Sequence, residues 1–413
     1  MSRFIPCGAF VLPALLIAVA ASTVVAVPAQ AVGSWSPPVQ LPGSCGGSVA
    51  VNAAGAQAAA GYQQNPDNSI TVQVCTSADG QTWSAPVTLA QGVSPAVAIA
   101  PDGRAVAVWE GGPGTSPTVQ ASVRPPAGQW STAVTLSTDS FDGPVIGIDG
   151  SGNAIAAWAG GSGAIDTASL PAGGKWTRVK TLAPRGQAVG LAVNPAGAAI
   201  ITWGTRTATL ADSGTVLGGF AAPVTVGPPP PYPIGHTHVA LNGTGQAALA
   251  WATFNANMAA TRDAGGAWST PAQLSAHPDG PVGVAIDGAG DAIAVFEQLQ
   301  AAGSSYTAVA YTSARPAGGT WGPPALLSVP GDNAAGSGAV ADAAGIFVVA
   351  WEDSTTQTLN VLTSPPGGGF APAATFPGVA ALGDLKIAPG HAVLTFAPVS
   401  SSKPMSVSSK PMS

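Results

Sequence analysis

The chain has 413 residues, only 8% of them charged, and a formal net charge of −6. Its 54 glycines and 39 prolines interrupt nearly every stretch, which excludes long helices. A hydrophobic content of 46% excludes a disordered chain, and sparse, mildly acidic charge excludes a nucleic-acid binder.

Residues 1–31 have the pattern of a secretory signal peptide. Arg3 supplies a short positive region, Phe10 to Val27 form an apolar stretch, and Ala29-Gln30-Ala31 is a small-x-small cleavage site. A membrane anchor is the alternative, but prolines bracket the apolar stretch and no positive stop-transfer flank follows it. We therefore expect a secreted, extracellular protein with no membrane span in the mature chain.

Two cysteines, Cys45 and Cys75, follow this segment. A cysteine pair in an exported protein usually forms a disulfide, and two free thiols are the alternative. A structural zinc site would need about four ligands. The pair therefore predicts a disulfide and not a metal site.

A short phrase with an aromatic residue followed by apolar residues recurs about every 48 residues. Its copies begin at Trp35, Trp83, Trp130, Trp176, Phe220, Trp268, Trp321 and Phe370. A period of this length indicates a repeat architecture.

A second phrase lies within each unit and consists of two apolar runs around a polar turn, as in Val97 to Trp109. Six turns place Asn or Asp three residues before Gly: Asn52/Gly55, Asp149/Gly152, Asn194/Gly197, Asn242/Gly245, Asp287/Gly290 and Asp342/Gly345. An Asx side chain can bond the backbone two residues on, and Gly can take the positive φ of a tight turn. Each phrase therefore predicts a β-hairpin.

A third, alternating segment follows each hairpin, so each unit supplies about four short strands. An Ala-rich helix over Gln246 to Ala264 is the alternative, which we reject because Gly and Pro forbid a helix in the other copies. The sequence thus predicts an all-β protein, a β-propeller.

We expect eight four-stranded blades, with the N-terminal strand at Trp35 completing the last one; seven blades are the alternative. Residues 32–400 would form this single propeller domain. Residues 401–413 contain a duplicated Ser-Ser-Lys-Pro-Met-Ser phrase and are either a disordered tail or the source of the last strand.

The junction from the third strand to the aromatic phrase carries a resemblance. Thr261 to Trp268 matches the pattern [ST]-x-D-x-G-x-x-W, and Ser77 to Trp83 is a version one residue shorter. This resembles the Asp boxes of sialidase-like BNR-repeat propellers. The resemblance covers most of the mature chain as repeats, and one Asp box is complete. The resemblance implies structural roles for Asp79, Asp263, Trp83 and Trp268, with Asp accepting turn amides and the aromatic packing between blades.

The catalytic set of that family is not recognisable in this chain. Its sialidases use three arginines, a Tyr nucleophile with a Glu partner, an acid/base Asp and an Arg-Ile-Pro phrase, and no Arg-Ile-Pro exists here. Arg124, Arg262 and Arg315 recur at equivalent positions before the Asp-box-like turn, so we interpret them as repeat features. We expect no catalytic residues.

Acidic residues and histidines concentrate in the loops that lead into the first strand or leave the second strand of each unit, which we call the loop face. Glu110, Glu297 and Glu352 each follow the aromatic residue of a second strand. The remaining candidates are Asp353, Asp139, Asp142, His236, His238, His277, Asp279 and Asp332. An acidic face could bind a cation, a glycan or a basic protein; solvated carboxylates that keep a charge-poor protein soluble are the alternative.

His236 and His238 alternate and so point the same way, but no third ligand is visible, and we expect no metal site. No cofactor is expected either, and a structural cation is left open.

The first hypothesis is a monomeric binding module for a glycan or an extracellular protein. The alternative is a glycoside hydrolase or lyase that uses paired carboxylates on the loop face. A scaffold for an envelope partner is a second alternative.

Overall fold

The computed structural model of the protein describes residues 35–112, 117–228, 237–253, 255–276, 282–302, 305–328, 332–371, 374–399 and 406–411. Within these ranges the chain forms 32 β-strands and no helix. The predictions for the signal peptide, His236, His277 and Asp279 lie outside the described residues. No helix of the described ranges could cross a membrane.

The first half of the chain contains β1 Val39–Gln40, β2 Ser48–Val51, β3 Gln57–Gln64, β4 Ile70–Ser77, β5 Val87–Ile99, β6 Ala105–Gly111, β7 Thr118–Arg124, β8 Val134–Ser137, β9 Asp142–Ile148, β10 Ala154–Ala159, β11 Ile165–Leu170, β12 Lys180–Ala183, β13 Gln187–Val193, β14 Ala198–Gly204, β15 Thr209–Thr215, β16 Gly219–Phe220 and β17 Val224–Gly227. The second half contains β18 His238–Leu241, β19 Ala247–Ala252, β20 Asn257–Arg262, β21 Ala272–Gln273, β22 Val282–Ile286, β23 Ala292–Ala302, β24 Ser305–Arg315, β25 Ala325–Leu326, β26 Ala334–Ala341, β27 Phe347–Asp353, β28 Thr358–Ser364, β29 Ala374–Pro377, β30 Val379–Ala388, β31 His391–Pro398 and β32 Ser406–Pro411.

Antiparallel pairing joins these strands into sheets whose members follow one another along the chain. β2 to β8 form one sheet because the first part of β5 pairs with β4 and its last part with β6. The other sheets are β9–β12, β13–β17, β18–β21, β22–β25, β26–β29, and β30–β31–β32 with β1. We number the successive units 1 to 8, with β5 shared by units 1 and 2. The prediction of an all-β fold is confirmed, and the rejected helix is instead β19 and β20.

The first strands of the units lie side by side. β2 contacts β5, and the contacts continue through β9, β13, β18, β22, β26 and β30, which itself contacts β2. First strands from units 3 to 8 line a shared cavity of about 660 Å³, through residues such as Ile148, Leu241 and Ile286. The succession of contacts thus returns to its starting strand around this cavity.

The second strands are covered on both faces by neighbouring units. Every residue of β10 and of β27 is buried, which accounts for continuous apolar runs without alternating charge. Each of these strands carries one large aromatic residue between neighbouring units: Trp109, Trp158, Trp203, Trp251 and Phe296 are fully buried. Contacts between units therefore form most of the core.

The predicted disulfide between Cys45 and Cys75 is present, with the two Cα atoms 5.8 Å apart. Both cysteines are buried with Leu41 and Val393 in one apolar cluster. The bond links the segment that follows β1 to β4, and so anchors the start of the described chain to unit 1.

The turns between first and second strands form the face opposite the loop face, which we call the turn face. In each predicted turn the Asx oxygen accepts backbone N–H groups of its own turn, as Asn242 Oδ1 does from Gln246 at 2.9 Å. Three asparagines also donate to the next unit. Asn52 donates to the Ala100 carbonyl, Asn194 to that of Asn242, and Asn242 to that of Asp287.

Asp287 occupies the same position but has no amide to donate. Its Oδ2 lies 3.2 Å from where a Cβ on Gly345, in the next turn, would be. Burial raises the pKa of this carboxyl, and the neighbouring charge of Asp291 adds to the rise. The turn of unit 6 therefore lacks the side-chain amide that donates to the next unit in the three asparagine turns.

Asp287→Asn is expected to raise the free energy of unfolding at pH 7 by about 1 kcal/mol, because the amide supplies the missing donor. Since the folded pKa of Asp287 is raised, the wild-type chain loses stability as pH rises from the unfolded pKa through the folded one. The stability gained by the Asp287→Asn variant should therefore be smaller at pH 4, as measured by urea unfolding.

The control is Asp149→Asn, because Asp149 Oδ2 already accepts Asn153 Nδ2 at 2.8 Å. An equal gain in both variants would contradict the explanation.

Candidate functional site

The three glutamates hold the same register position in units 2, 6 and 7. Glu110 lies opposite Val119, Glu297 opposite Ala310, and Glu352 opposite Leu359 on the third strand of each unit. Their second strands do not end at the preceding aromatic residue, as the sequence suggested, but run on past the glutamates. Their surroundings differ because each is covered by a different neighbouring unit.

Glu297 and Glu352 are buried in consecutive units, with 4% and 7% of their surface exposed. Burial raises the pKa of Glu297 to about 8, and the charge of Glu352 adds to this rise. Burial also raises the pKa of Glu352 to about 6, against a backbone N–H of Leu382 that favours its charged form. Glu297 Oε1 has no hydrogen-bond partner. The charges of the two carboxyl groups thus interact, and burial raises both pKa values to different extents.

Asp353 follows Glu352 in sequence but has a structural environment. Its carboxylate accepts the backbone N–H groups of Asn333 at 3.0 Å and Thr355 at 2.9 Å, and the Thr356 hydroxyl. Burial opposes ionisation of Asp353, but these hydrogen bonds outweigh it and lower the pKa. Its oxygens are occupied in holding the loop before β26 and the loop after β27.

A more open site lies between units 2 and 3. The Ser140 hydroxyl donates to Glu110 Oε2 at 3.1 Å, and Ser140 itself is buried. The next residue, Phe141, is 62% exposed, and its backbone N–H is fixed to the Ala159 carbonyl at 2.9 Å. The half-buried Glu110 carboxylate is thus hydrogen-bonded to the residue that precedes an exposed aromatic residue.

Asp139 holds the loop that carries Ser140 and Phe141. Its two carboxylate oxygens accept the backbone N–H groups of Gly161 at 2.6 Å and Ser162 at 3.2 Å. A Cβ on Gly161 would lie 2.8 Å from Asp139 Oδ1, so this close approach requires glycine. Hydrogen bonding from Ser162 lowers the pKa of Asp139 despite some burial. The loop is thereby fixed before any ligand arrives.

Three other predicted residues lie within the described ranges. Asp142 Oδ2 accepts the N–H of Ala188, a residue with a positive φ of 58°, on the first strand of unit 4. His238 is exposed at the start of β18 and lines the central cavity. Asp332 is half-buried beside Asn333, before β26.

The two Asp-box-like turns use their aspartates to accept backbone amides. Asp79 Oδ1 accepts Gln81 N–H and Thr82 N–H, both at 2.8 Å, and these bonds lower the pKa of Asp79. Asp263 Oδ1 accepts Ala267 N–H at 2.9 Å. Trp83 packs against the cluster that contains the disulfide, and Trp268 against the core between units 4 and 5.

The central cavity contains chemistry that the sequence analysis did not single out. Lys386 and Asp384, on β30, form an ion pair at 2.6 Å and line the cavity. Asp384 Oδ2 also accepts the N–H of Val49, from unit 1, at 3.1 Å. None of the three glutamates is among the described residues that line this cavity.

A long hairpin of unit 6 was also missed. β23 and β24 have 11 residues each and pair over their whole length, from Ala292 opposite Arg315 to Ala302 opposite Ser305. Tyr306, near the tip, is 70% exposed. The signal was present in the sequence, because Trp268 to Trp321 is the longest interval between aromatic phrases.

No group of three His, Cys, Asp or Glu side chains within the described ranges is arranged to hold a metal ion.

Glu297→Gln is expected to flatten the pH dependence of stability. The folded pKa of about 8 exceeds the unfolded value near 4.5. Wild-type stability should therefore fall as pH rises between these values, by at most ~1.4 kcal/mol per pH unit. The uncharged variant should be the more stable at pH 9 in chemical unfolding. Glu110→Gln, at the equivalent half-exposed position, is the control, and a matching effect there would refute burial as the cause.

No protein-family model and no curated protein matches this chain. Solved structures do match it. A lectin from Burkholderia pseudomallei aligns with a TM-score of 0.53 at 13% identity, over 80% of this chain and 99% of the lectin. A polysaccharide lyase gives 0.48 at 9% identity, over 75% and 88%. The Aleuria aurantia lectin, described as a six-bladed β-propeller, gives 0.40 at 13% identity, over 86% and 96%. At these identities the first match shows a shared all-β fold alone.

Proposed function

We propose that the protein is a secreted β-propeller that binds a glycan through its loop face. One observation carries the proposal: Ser140 is hydrogen-bonded to Glu110, and the next residue in sequence, Phe141, is an exposed aromatic residue. An aromatic face can pack against the C–H groups of a sugar, while a carboxylate accepts hydrogen bonds from its hydroxyl groups. The matched lectin is compatible with this proposal through its fold.

The rigidity of the loop supports the same function. Asp139 fixes it through two backbone bonds to the neighbouring loop, and Ser137 exchanges hydrogen bonds with the backbone of Asp139. A binding loop that is ordered in advance costs less conformational entropy when a ligand binds. The hydrogen bond from Ser140 uses Glu110 Oε2, and Glu110 Oε1 can accept a hydrogen bond from a ligand.

We infer one such site and not three repeated ones. Glu297 and Glu352 share the register of Glu110, but both are buried, whereas Glu110 is half-buried next to an open loop. A sugar could reach Glu110 without a rearrangement of the strands. Avidity from several identical sites is therefore not part of the proposal.

The architecture proposed for this function is an eight-bladed ring closed by β1. Its support is the pairing of β1 with β32, where Val39 lies opposite Val407 and Gln40 opposite Ser406. The contact between β30 and β2 supports the same closure.

Deletion of residues 406–413 removes β32 and leaves β1 without a partner. We expect the thermal midpoint to fall by about 5 °C or more, because several ladder hydrogen bonds are lost. Deletion of 412–413 alone keeps β32 and is the control. Equal midpoints for the two truncated chains would argue against closure by these strands.

The test of the function is binding of the secreted chain to a glycan array. Phe141→Ala and Glu110→Gln should each weaken binding to the recognised glycan by about 10-fold, because each removes one of the two contacts. Tyr306→Ala removes another exposed aromatic residue far from the site and should leave binding unchanged. Glycan binding that survives both site variants, or capture of a protein with no glycan binding, would reject this site.

A glycoside hydrolase is the second candidate, favoured by the buried pair Glu297 and Glu352. A protonated acid near pH 7 and a second carboxylate are the groups that glycoside hydrolysis requires. Incubation of the wild-type chain, Glu297→Gln and Phe141→Ala with fluorogenic glycosides separates the two functions. Turnover that Glu297→Gln abolishes, while Phe141→Ala leaves sugar binding intact, would favour the enzyme.

A further inference from the structure

A small cavity on the turn face brings together two arginines that the sequence treats as repeat features. Arg262 ends the third strand of unit 5, and Arg315 ends the third strand of unit 6. Both line one cavity of about 260 Å³, together with Gln246, Ser269 and Asp263. Both residues line this cavity because units 5 and 6 are neighbours.

Neither arginine is neutralised by a carboxylate. Among the described residues, the ion pair that the structure shows is Lys386 with Asp384. Asp263 lines the same cavity, but its Oδ1 accepts the Ala267 N–H inside its own turn. The two arginines would both attract an anion in this cavity, because Asp263 is the one acidic residue among the described residues that line it.

Arg262 is held in place before any ligand arrives. Its Nη1 donates to the Gly245 carbonyl at 2.7 Å, and its Nε has no partner. Its Nη2 lies 3.1 Å from where a Cβ on Gly266 would be, so the lack of a side chain at Gly266 provides space for the guanidinium group. A fixed guanidinium pays little entropy on binding a carboxylate, and its planar fork suits bidentate contact.

The other lining groups suit hydroxyl groups. Gln246 Oε1 accepts Asn242 Nδ2 at 3.0 Å and the Thr244 hydroxyl at 3.1 Å, which leaves its amide Nε2 as a donor. Ser269 adds an exposed hydroxyl that already accepts the Thr261 N–H. The volume is below the range of about 300–1,000 Å³ typical of drug-sized ligands, which fits a single sugar ring.

We propose that this cavity binds the carboxylate of an acidic monosaccharide unit, a hexuronate, between Arg262 and Arg315. The site does not depend on the loop-face function. Glu297 lies five residues beyond Ala292, the strand partner of Arg315, which places it roughly 16 Å away along β23.

The test is calorimetric titration of the full chain with glucuronate, glucose and sodium sulfate. Glucuronate should bind, with an affinity that falls as salt is added. Arg262→Gln and Arg315→Gln should each weaken it by about 10-fold or more, since each removes a charged hydrogen-bond donor. Arg124→Gln is the matched control, because Arg124 ends the third strand of unit 2 opposite Ala105, as Arg262 does opposite Ala247.

Glucose binding as tightly as glucuronate would overturn the proposal, as would equal affinity for sulfate, or the same loss in the Arg124 variant. Failure to detect glucuronate binding would overturn it too. Phe141→Ala should leave glucuronate affinity unchanged, so failure of the loop-face function and failure of this site can be told apart. Arg315→Gln keeps the test valid if Arg262→Gln destabilises its turn.

Discussion

Burial of the second strand on both faces is the constraint on which the rest of this structure depends. Each unit presents an aromatic residue such as Trp109, Trp158 or Trp251 that only neighbouring units can cover. Truncation of a buried aromatic residue typically costs about 3–5 kcal/mol, so a unit with an uncovered face would lose much of the stability of an ordinary domain. The contacts of the first strands, the shared strand β5 and the pairing of β1 with β32 all provide that cover.

The same constraint determines where charge can lie. Strands covered on both faces leave no room for ionised side chains, so these gather at strand ends and in loops. Glu297 and Glu352 lie one residue beyond the aromatic position, where neighbouring units still cover them, and their pKa values rise accordingly. Glu110 occupies the same register but faces the Ser140 loop. The same position in the repeat therefore holds a buried glutamate with a raised pKa in units 6 and 7 and a hydrogen-bonded, half-buried glutamate in unit 2.

The sequence predicted the elements that short-range chemistry dictates. Spacing between Asx and Gly specifies a hairpin turn, and the cysteine pair, in a chain expected to be exported, predicted the Cys45–Cys75 bond. The burial of Glu297 could not be predicted, because it depends on how unit 7 packs against unit 6. The exposure of Phe141 depends likewise on a loop held from the neighbouring hairpin by Asp139. The equivalence of Arg262 and Arg315 was visible in the repeat, but their shared cavity required the units to be placed in space.

The pairing of β1 with β32 joins the two ends of the described chain in one sheet. During synthesis β1 leaves the ribosome long before β32 exists, so β1 has no pairing partner while the other units are made. Units 1 to 7 can form their hairpins in order as they leave the ribosome, whereas the sheet that contains β1 can be completed only after β32 has been made. The pairing of β1 with β32 joins strands from the two ends of the described ranges, so it has the largest loop-closure entropy of the described strand pairings, and a chain without β32 would leave a strand edge unpaired.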